Sequence, residues 1–220
     1  MIIRLAATAL ALSVALVSSA SLAQDAAPAQ SVSNFPLSAN PNLAEDLDNI
    51  WFLDLSNGRR VAIRLVPEWA PQHVERIKAL TRSGFYDGII FHRVIDGFMA
   101  QTGDPTGTGR GGSDLPDVPA EFNIMPHVRG SVAMARAADK NSANSQFFIV
   151  FYPRFSLDRN YTNFGRVIAG MDAVDEIHRG EPPQDPTYIV QASIASDHKP
   201  QKFPAPVTAA AAPSPEPVSQ

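Results

Sequence analysis

The sequence predicts a mainly-β domain of short antiparallel strands, folded as a sandwich or a barrel, with two helices. Short apolar stretches recur at close spacing along the middle of the chain, separated by Gly-, Pro- and Asp-rich turns. Only two segments carry the 3.6-residue period of an amphipathic helix. Over 220 residues, 45% are hydrophobic and 18% charged, so a sizeable core is available and wholesale disorder is excluded.

The N-terminus stands apart from this domain. Arg4 supplies one positive charge, Leu5 to Val17 is an apolar run of 13 residues, and the small residues Ser18 to Ala23 come next. That is the three-part pattern of a secretory signal peptide over residues 1–23. The run is shorter than the roughly 20 residues needed to span a bilayer. The mature protein is therefore expected to be periplasmic or secreted, with no stable membrane insertion after cleavage. Residues 24–47, rich in Ala, Ser, Asn and Pro, read as a disordered spacer, and residues 198–220 as a disordered Pro/Ala-rich tail. The folded domain is then 48–197.

The domain opens as a hairpin, with Ile50 to Leu55 and the alternating Val61, Ile63, Leu65 on either side of Asn57-Gly58. A helix starts at Pro71, buries Val74, Ile77 and Leu80, and is capped by Gly84. Strands are expected at Ile89–Ile95, Phe98–Thr102, Gly130–Ala135, Gln146–Phe151 and Asn163–Ile168. A short helix from Met171 to about His178 and a strand at Tyr188–Ile194 complete the set.

Charge and composition exclude several functions. A net charge of -4 gives no general attraction to nucleic acid, so no nucleic-acid partner is expected. Without cysteine there are no disulfides, thiol nucleophiles or zinc–thiolate sites. The five histidines show no pair at metal-ligand spacing, so no metal site is expected, and His92 reads as a packing residue. Gly107 to Gly112 fits the dinucleotide pattern G-x-G-x-x-G, but Pro116 and Pro119 deny it the helix that pattern needs. Asn160-Tyr161-Thr162 matches a glycosylation acceptor and is read as a loop leading into a strand.

Two strings carry chemistry. Phe91-His92-Arg93-Val94-Ile95-Asp96-Gly97-Phe98-Met99-Ala100-Gln101 places a permanent cation inside an apolar strand–turn–strand unit. Ala135-Arg136-Ala137 and Ser145-Gln146-Phe147-Phe148 add small residues beside a strand on which Gln146 and Phe148 share one face. An apolar shelf, a fixed cation and accessible backbone make a groove for an extended, uncharged ligand.

With Gly103-Asp104, Arg76–Leu80 and Asn163-Phe164-Gly165, these strings resemble the signature segments of the cyclophilin-type peptidyl-prolyl cis–trans isomerases, from Ile50 to about Ile194. The resemblance implies a closed eight-stranded antiparallel barrel capped by two helices, with the groove on its outer face. It implies Arg93 as the catalytic arginine and Gln101 as the residue that holds it. Phe98, Met99, Phe148 and Leu157 would line the proline pocket. Ala135, Arg136 and Ala137 would hold the preceding residues, and Gln146 would contact the substrate chain. Arg136 stands in place of an asparagine, Ser156 where many members carry tryptophan, and Tyr161, counted among the substrate-binding residues, where many carry histidine. The activity implied acts on proline-containing polypeptides and needs no cofactor, and nothing in the sequence calls for more than a monomer.

Overall fold

The computed structural model describes residues 35–205, so the expected signal peptide and the tail beyond 205 lie outside the described residues. Among the described residues eight strands are joined by two helices, one after the second strand and one after the seventh. They are β1 (Ile50–Leu55), β2 (Arg60–Leu65), α1 (Pro71–Arg82), β3 (Arg93–Ile95), β4 (Met99–Thr102), β5 (Ser131–Met134), β6 (Phe147–Val150), β7 (Asn163–Ala169), α2 (Met171–Asp175) and β8 (Ile189–Ile194). All ladders are antiparallel, and the strand order is β3-β4-β6-β5-β7-β2-β1-β8.

Contrary to the expectation of a closed barrel, the sheet is an open half-barrel. Its edges, β3 and β8, do not pair as strands. In place of a ladder, the margins are linked by isolated bridges at Ile90–Tyr188 and Val94–Gly180 and by a backbone bond from Gly88 to Ile189. The physical reason lies in residues 181–187, where Pro182, Pro183 and Pro186 lack the N–H groups that a continuous ladder would require. The expected strand from Ile89 is shortened accordingly to Arg93–Ile95. The second helix also ends earlier than its pattern suggests, at Asp175 rather than near His178.

Period-two alternation sorts the strands into two faces. Trp51, Leu53, Val61, Ile63, Val94, Ala100, Val132, Phe147, Ile149 and Phe164 point inward and meet Val74, Ile77 and Leu80 of α1. Trp51, Tyr86 and Phe147 form an aromatic centre with ring centroids 4.8–5.7 Å apart. In the first hairpin only Gly58 takes a positive φ, of 80°. Asn57 works through its side chain instead, accepting from the Arg59 amide and donating to the Ala173 carbonyl.

Residues 35–47, which composition reads as spacer, pack onto the domain. Arg64, at 3% side-chain exposure, donates to the carbonyls of Asn40, Asn42, Glu45 and Asp46, and the Trp69 indole donates to Pro36. A buried guanidinium needs several acceptors, and this stretch supplies them. Composition misses it because the stretch contributes backbone oxygens rather than apolar side chains. At the other end the Lys202 amide donates to Asp54, so the start of the tail also runs along the sheet.

Candidate functional site

The site grows on the outer face of β3, β4, β6 and β5. Register places Arg93 opposite Gln101, Gln101 opposite Phe148, and Phe148 opposite Ala133, so these four form one row across the sheet. The tight turn between β3 and β4 fixes this register, with Gly97 at φ 64° and the Phe98 amide bonded to the Ile95 carbonyl. The same alternation that fills the core gathers Met99, Ala133, Phe148 and Val150 into a second, smaller apolar cluster on the outside. Ile95, Phe98, Ala135, Leu157 and Tyr161 pack around it.

This cluster walls a pocket of about 140 Å³ lined by Arg93, Phe98, Met99, Gln101, Ala135, Arg136, Phe148, Leu157 and Tyr161. A wider hollow of about 550 Å³ shares Gln101, Ala135 and Arg136 with it and continues past Ala137, Gln146 and the glycines 109, 111 and 112. All eleven residues singled out from the sequence therefore line one continuous groove. Phe98, Met99, Ala135, Phe148, Leu157 and Tyr161 give the pocket apolar walls, and Arg93, Arg136 and Gln101 add two cations and an amide.

A hydrogen-bonded chain runs along the groove floor. Arg93 Nη1 donates to Gln101 Oε1 at 3.4 Å, and Gln101 Nε2 donates to Gln146 Oε1 at 2.9 Å. Gln146 Nε2 then donates to the carbonyls of Gly109 (3.1 Å) and Gly111 (2.8 Å). Each amide uses its oxygen toward Arg93 and its nitrogen toward the loop, so the two glutamines orient one another. Gln146 thus ties Gln101 to the glycine-rich loop as well as lining the groove. Gly103 permits the close approach this needs, since at φ 89° a Cβ would press on the Ser145 carbonyl and lie 2.9 Å from Gln146 Cα.

The glycine-rich loop is organised by Asp104. Its carboxylate accepts from the Thr106 amide (2.7 Å) and hydroxyl (2.8 Å) and from the Gly109 amide (2.6 Å). Burial by itself would raise this carboxyl, but the Thr106, Gly109 and Gly111 donors outweigh it and hold it at about 2. His92 lies beneath this loop, buried and with neither ring nitrogen hydrogen-bonded, and burial keeps it below its ordinary value of 6.5. Packing is its role.

Arg136 does more than replace an asparagine. Its guanidinium lies 4.7 Å from the Tyr161 ring centroid and donates to the carbonyls of Asn160, Ala137 and Ala138. It thereby clamps the loop that carries Leu157 and Tyr161. Ser156 is exposed, and Phe155 beside it is 65% exposed, so neither fills the rim.

Several residues of the site were not singled out from the sequence. Ile95 and Val150 were findable, because they lie two positions from Arg93 and Phe148 and so share their face. His127 stacks behind Phe148 with centroids 6.4 Å apart and bonds Asp158 at 2.8 Å, and no local pattern announces it. Glu181 binds Arg93 Nε at 2.7 Å from 88 residues away, again without a local signal.

Comparison with known proteins agrees with this geometry. The family model described as cyclophilin type peptidyl-prolyl cis-trans isomerase/CLD matches residues 52–196. A probable peptidyl-prolyl cis-trans isomerase of Brucella suis biovar 1 is 47% identical over 172 residues, covering 71% of this chain and 87% of that one. The peptidyl-prolyl cis-trans isomerase B of Bacillus subtilis is 40% identical over 128 residues, 58% of this chain and 89% of that protein. Among solved structures, the cyclophilin AquaCyp293 from Hirschia baltica is similar with a TM-score of 0.65 and 33% identity, over 70% of this chain and 77% of that one. A cyclophilin-type isomerase from Cryptosporidium parvum, crystallised in the presence of the dipeptide Ala-Pro, gives 0.61 and 30%, over 66% and 98%.

Proposed function

Because the chain belongs to the cyclophilin-type peptidyl-prolyl cis–trans isomerases, a family of enzymes acting on proline-containing polypeptides, we propose that Arg93 is the group through which it accelerates X–Pro rotation. Amide resonance sets a barrier of roughly 18–20 kcal/mol, and bringing tens of seconds down to milliseconds requires about 5.5 kcal/mol of transition-state stabilisation. In the twisted transition state the prolyl nitrogen becomes pyramidal and regains a lone pair. A guanidinium beside it donates a hydrogen bond that the planar ground state cannot accept. Arginine suits this task because it stays charged and its donors form a rigid fork.

The single observation that carries the reading is the cross-strand row Arg93–Gln101–Phe148. It sets the donor in the lining of the same pocket that Phe98, Met99 and Phe148 wall, a space small enough to grip a ring. Gln101 and Gln146 preorganise the fork, so little reorganisation accompanies the rotation. Phe98, Met99, Phe148 and Leu157 hold the ring, with Tyr161 closing the rim. Backbone at Ala135, Arg136 and Ala137 holds the residues before it. The leader pattern over 1–23 supports export to the periplasm or beyond, where the substrates would be exported polypeptides.

Arg93→Ala should lower kcat/KM on a short proline peptide at least ten-fold, more than about 1.4 kcal/mol of transition-state stabilisation. The side chain is 40% exposed and lies outside the core, so the fold should survive. Wild-type turnover by the folded variant would overturn the arginine reading, and no isomerisation by the unsubstituted protein would leave a groove that only holds proline segments. N-terminal sequencing of the mature protein from a cell fraction tests the export reading.

A further inference from the structure

The Arg93 fork is held from two sides, and only one of them is the glutamine. Glu181 Oε2 lies 2.7 Å from Arg93 Nε, while Gln101 Oε1 takes Nη1 at 3.4 Å. Among the described residues Nη2 has no hydrogen-bond partner, and Arg93 lines the pocket. The Glu181 carboxylate is delivered by the chain between α2 and β8. Gly180 exchanges both backbone hydrogen bonds with Val94, at 2.8 and 2.9 Å, which brings the next residue beside Arg93. Gly180 has φ 146°, and a Cβ there would sit 2.5 Å from Pro183 Cα, so only glycine allows the chain to reverse at this point. Pro182 and Pro183, with fixed φ, stiffen the backbone on the other side of Glu181. A flexible surface pair would have none of these constraints.

Resting on the reading of Arg93 given above, we infer that Glu181 is a positioning residue for the Arg93 fork and sets the charge preference of the groove at that end. Holding Nε fixes the guanidinium plane that Gln101 alone, at its longer distance, leaves free to pivot. The carboxylate is 51% exposed and offsets the Arg93 charge in a pocket that Arg136 also lines, so without it a substrate would meet two cations and no anion. Glu181 thereby keeps an anionic residue beside the proline from being favoured.

The test uses the full chain, Glu181→Gln, and two peptides differing only in Lys or Glu next to the proline. Wild type should turn over the two peptides within about two-fold of one another, and Glu181→Gln should favour the glutamate peptide about five-fold in kcat/KM at low salt, the size expected of one charge acting through water-exposed surface. That preference should fall below about two-fold at ~0.5 M NaCl, where the screening length is only a few ångströms. On a neutral peptide it should lower kcat about three-fold with KM unchanged, the size an exposed ion pair supports. Equal peptide preference in the two proteins, or an unchanged neutral-peptide kcat, overturns the inference. The salt titration of Glu181→Gln separates this charge effect from a change of groove shape, which salt would not reverse. Arg93→Ala separates the layers. If it loses activity while Glu181→Gln behaves as wild type, the inference alone fails. If it keeps full activity, the reading beneath fails too.

Discussion

Gln146→Leu tests whether the glutamine chain holds the arginine. The substitution keeps the side chain's bulk and removes three hydrogen bonds: one accepted from Gln101 at 2.9 Å and two donated to the carbonyls of Gly109 and Gly111 at 3.1 and 2.8 Å. At about 0.5–1.5 kcal/mol each, with these half-wet bonds at the low end, roughly 2 kcal/mol of stability is lost. The catalytic loss has a different origin. Gln101, released from Gln146, can rotate away, and Arg93 Nη1 loses an acceptor that is already long at 3.4 Å. A loosened fork at about 1 kcal/mol predicts a fall in kcat/KM of about five-fold. Gln146→Glu divides the two effects, since it still accepts from Gln101 but turns acceptors toward the glycine carbonyls. It should lose stability like the leucine variant while keeping kcat/KM within about two-fold of wild type. Urea unfolding reads the first quantity and a proline-peptide assay, below the unfolding transition, the second. Wild-type turnover in folded Gln146→Leu, or equal losses of kcat/KM in both variants, would refute the orienting chain.

Gly103→Ala should cost about 2–4 kcal/mol, because its positive φ and the contact with Ser145 and Gln146 backbone force β4 and β6 apart; an unchanged urea midpoint would contradict that. Ser156→Trp should restore an apolar face and an indole donor at the exposed rim, raising affinity for cyclosporin-type inhibitors at least about ten-fold with little change in peptide turnover. Inhibitor titration of both proteins in the peptide assay reads this, and tight wild-type inhibition would mean the rim is filled in another way. Stability should decline on acidification in two windows. Burial holds His73, His92 and His127 below their ordinary 6.5, so unfolding takes up protons and their contribution, complete above about pH 6.5, is lost as pH falls beneath it. Asp48, held at about 2 chiefly by Arg82 and Lys78, and Asp104, likewise at about 2, add a second loss from 3.8 downward. A urea midpoint that rises between about pH 8 and pH 5 would reverse the sign argued here.

The two faces of the sheet and the line of the groove are legible in the chain before it folds. Period-two alternation assigns Val94, Ala100 and Phe147 inward and Arg93, Met99, Gln101 and Phe148 outward, and Asp96-Gly97 fixes the turn that makes Arg93 and Gln101 opposite. These are local properties, set by a pleat and a turn within a dozen residues, and so they can be read in one dimension. Contributions from distant segments are settled only by the folded molecule. Folding packs residues 35–47 around Arg64, leaves the sheet open where Pro182, Pro183 and Pro186 interrupt the ladder, sets His127 behind Phe148, and brings Glu181 to Arg93 across 88 residues. None of these has a period or a motif. Each depends on polar groups, buried or half-buried, that must find partners, and the partner each finds depends on where the whole chain has folded to.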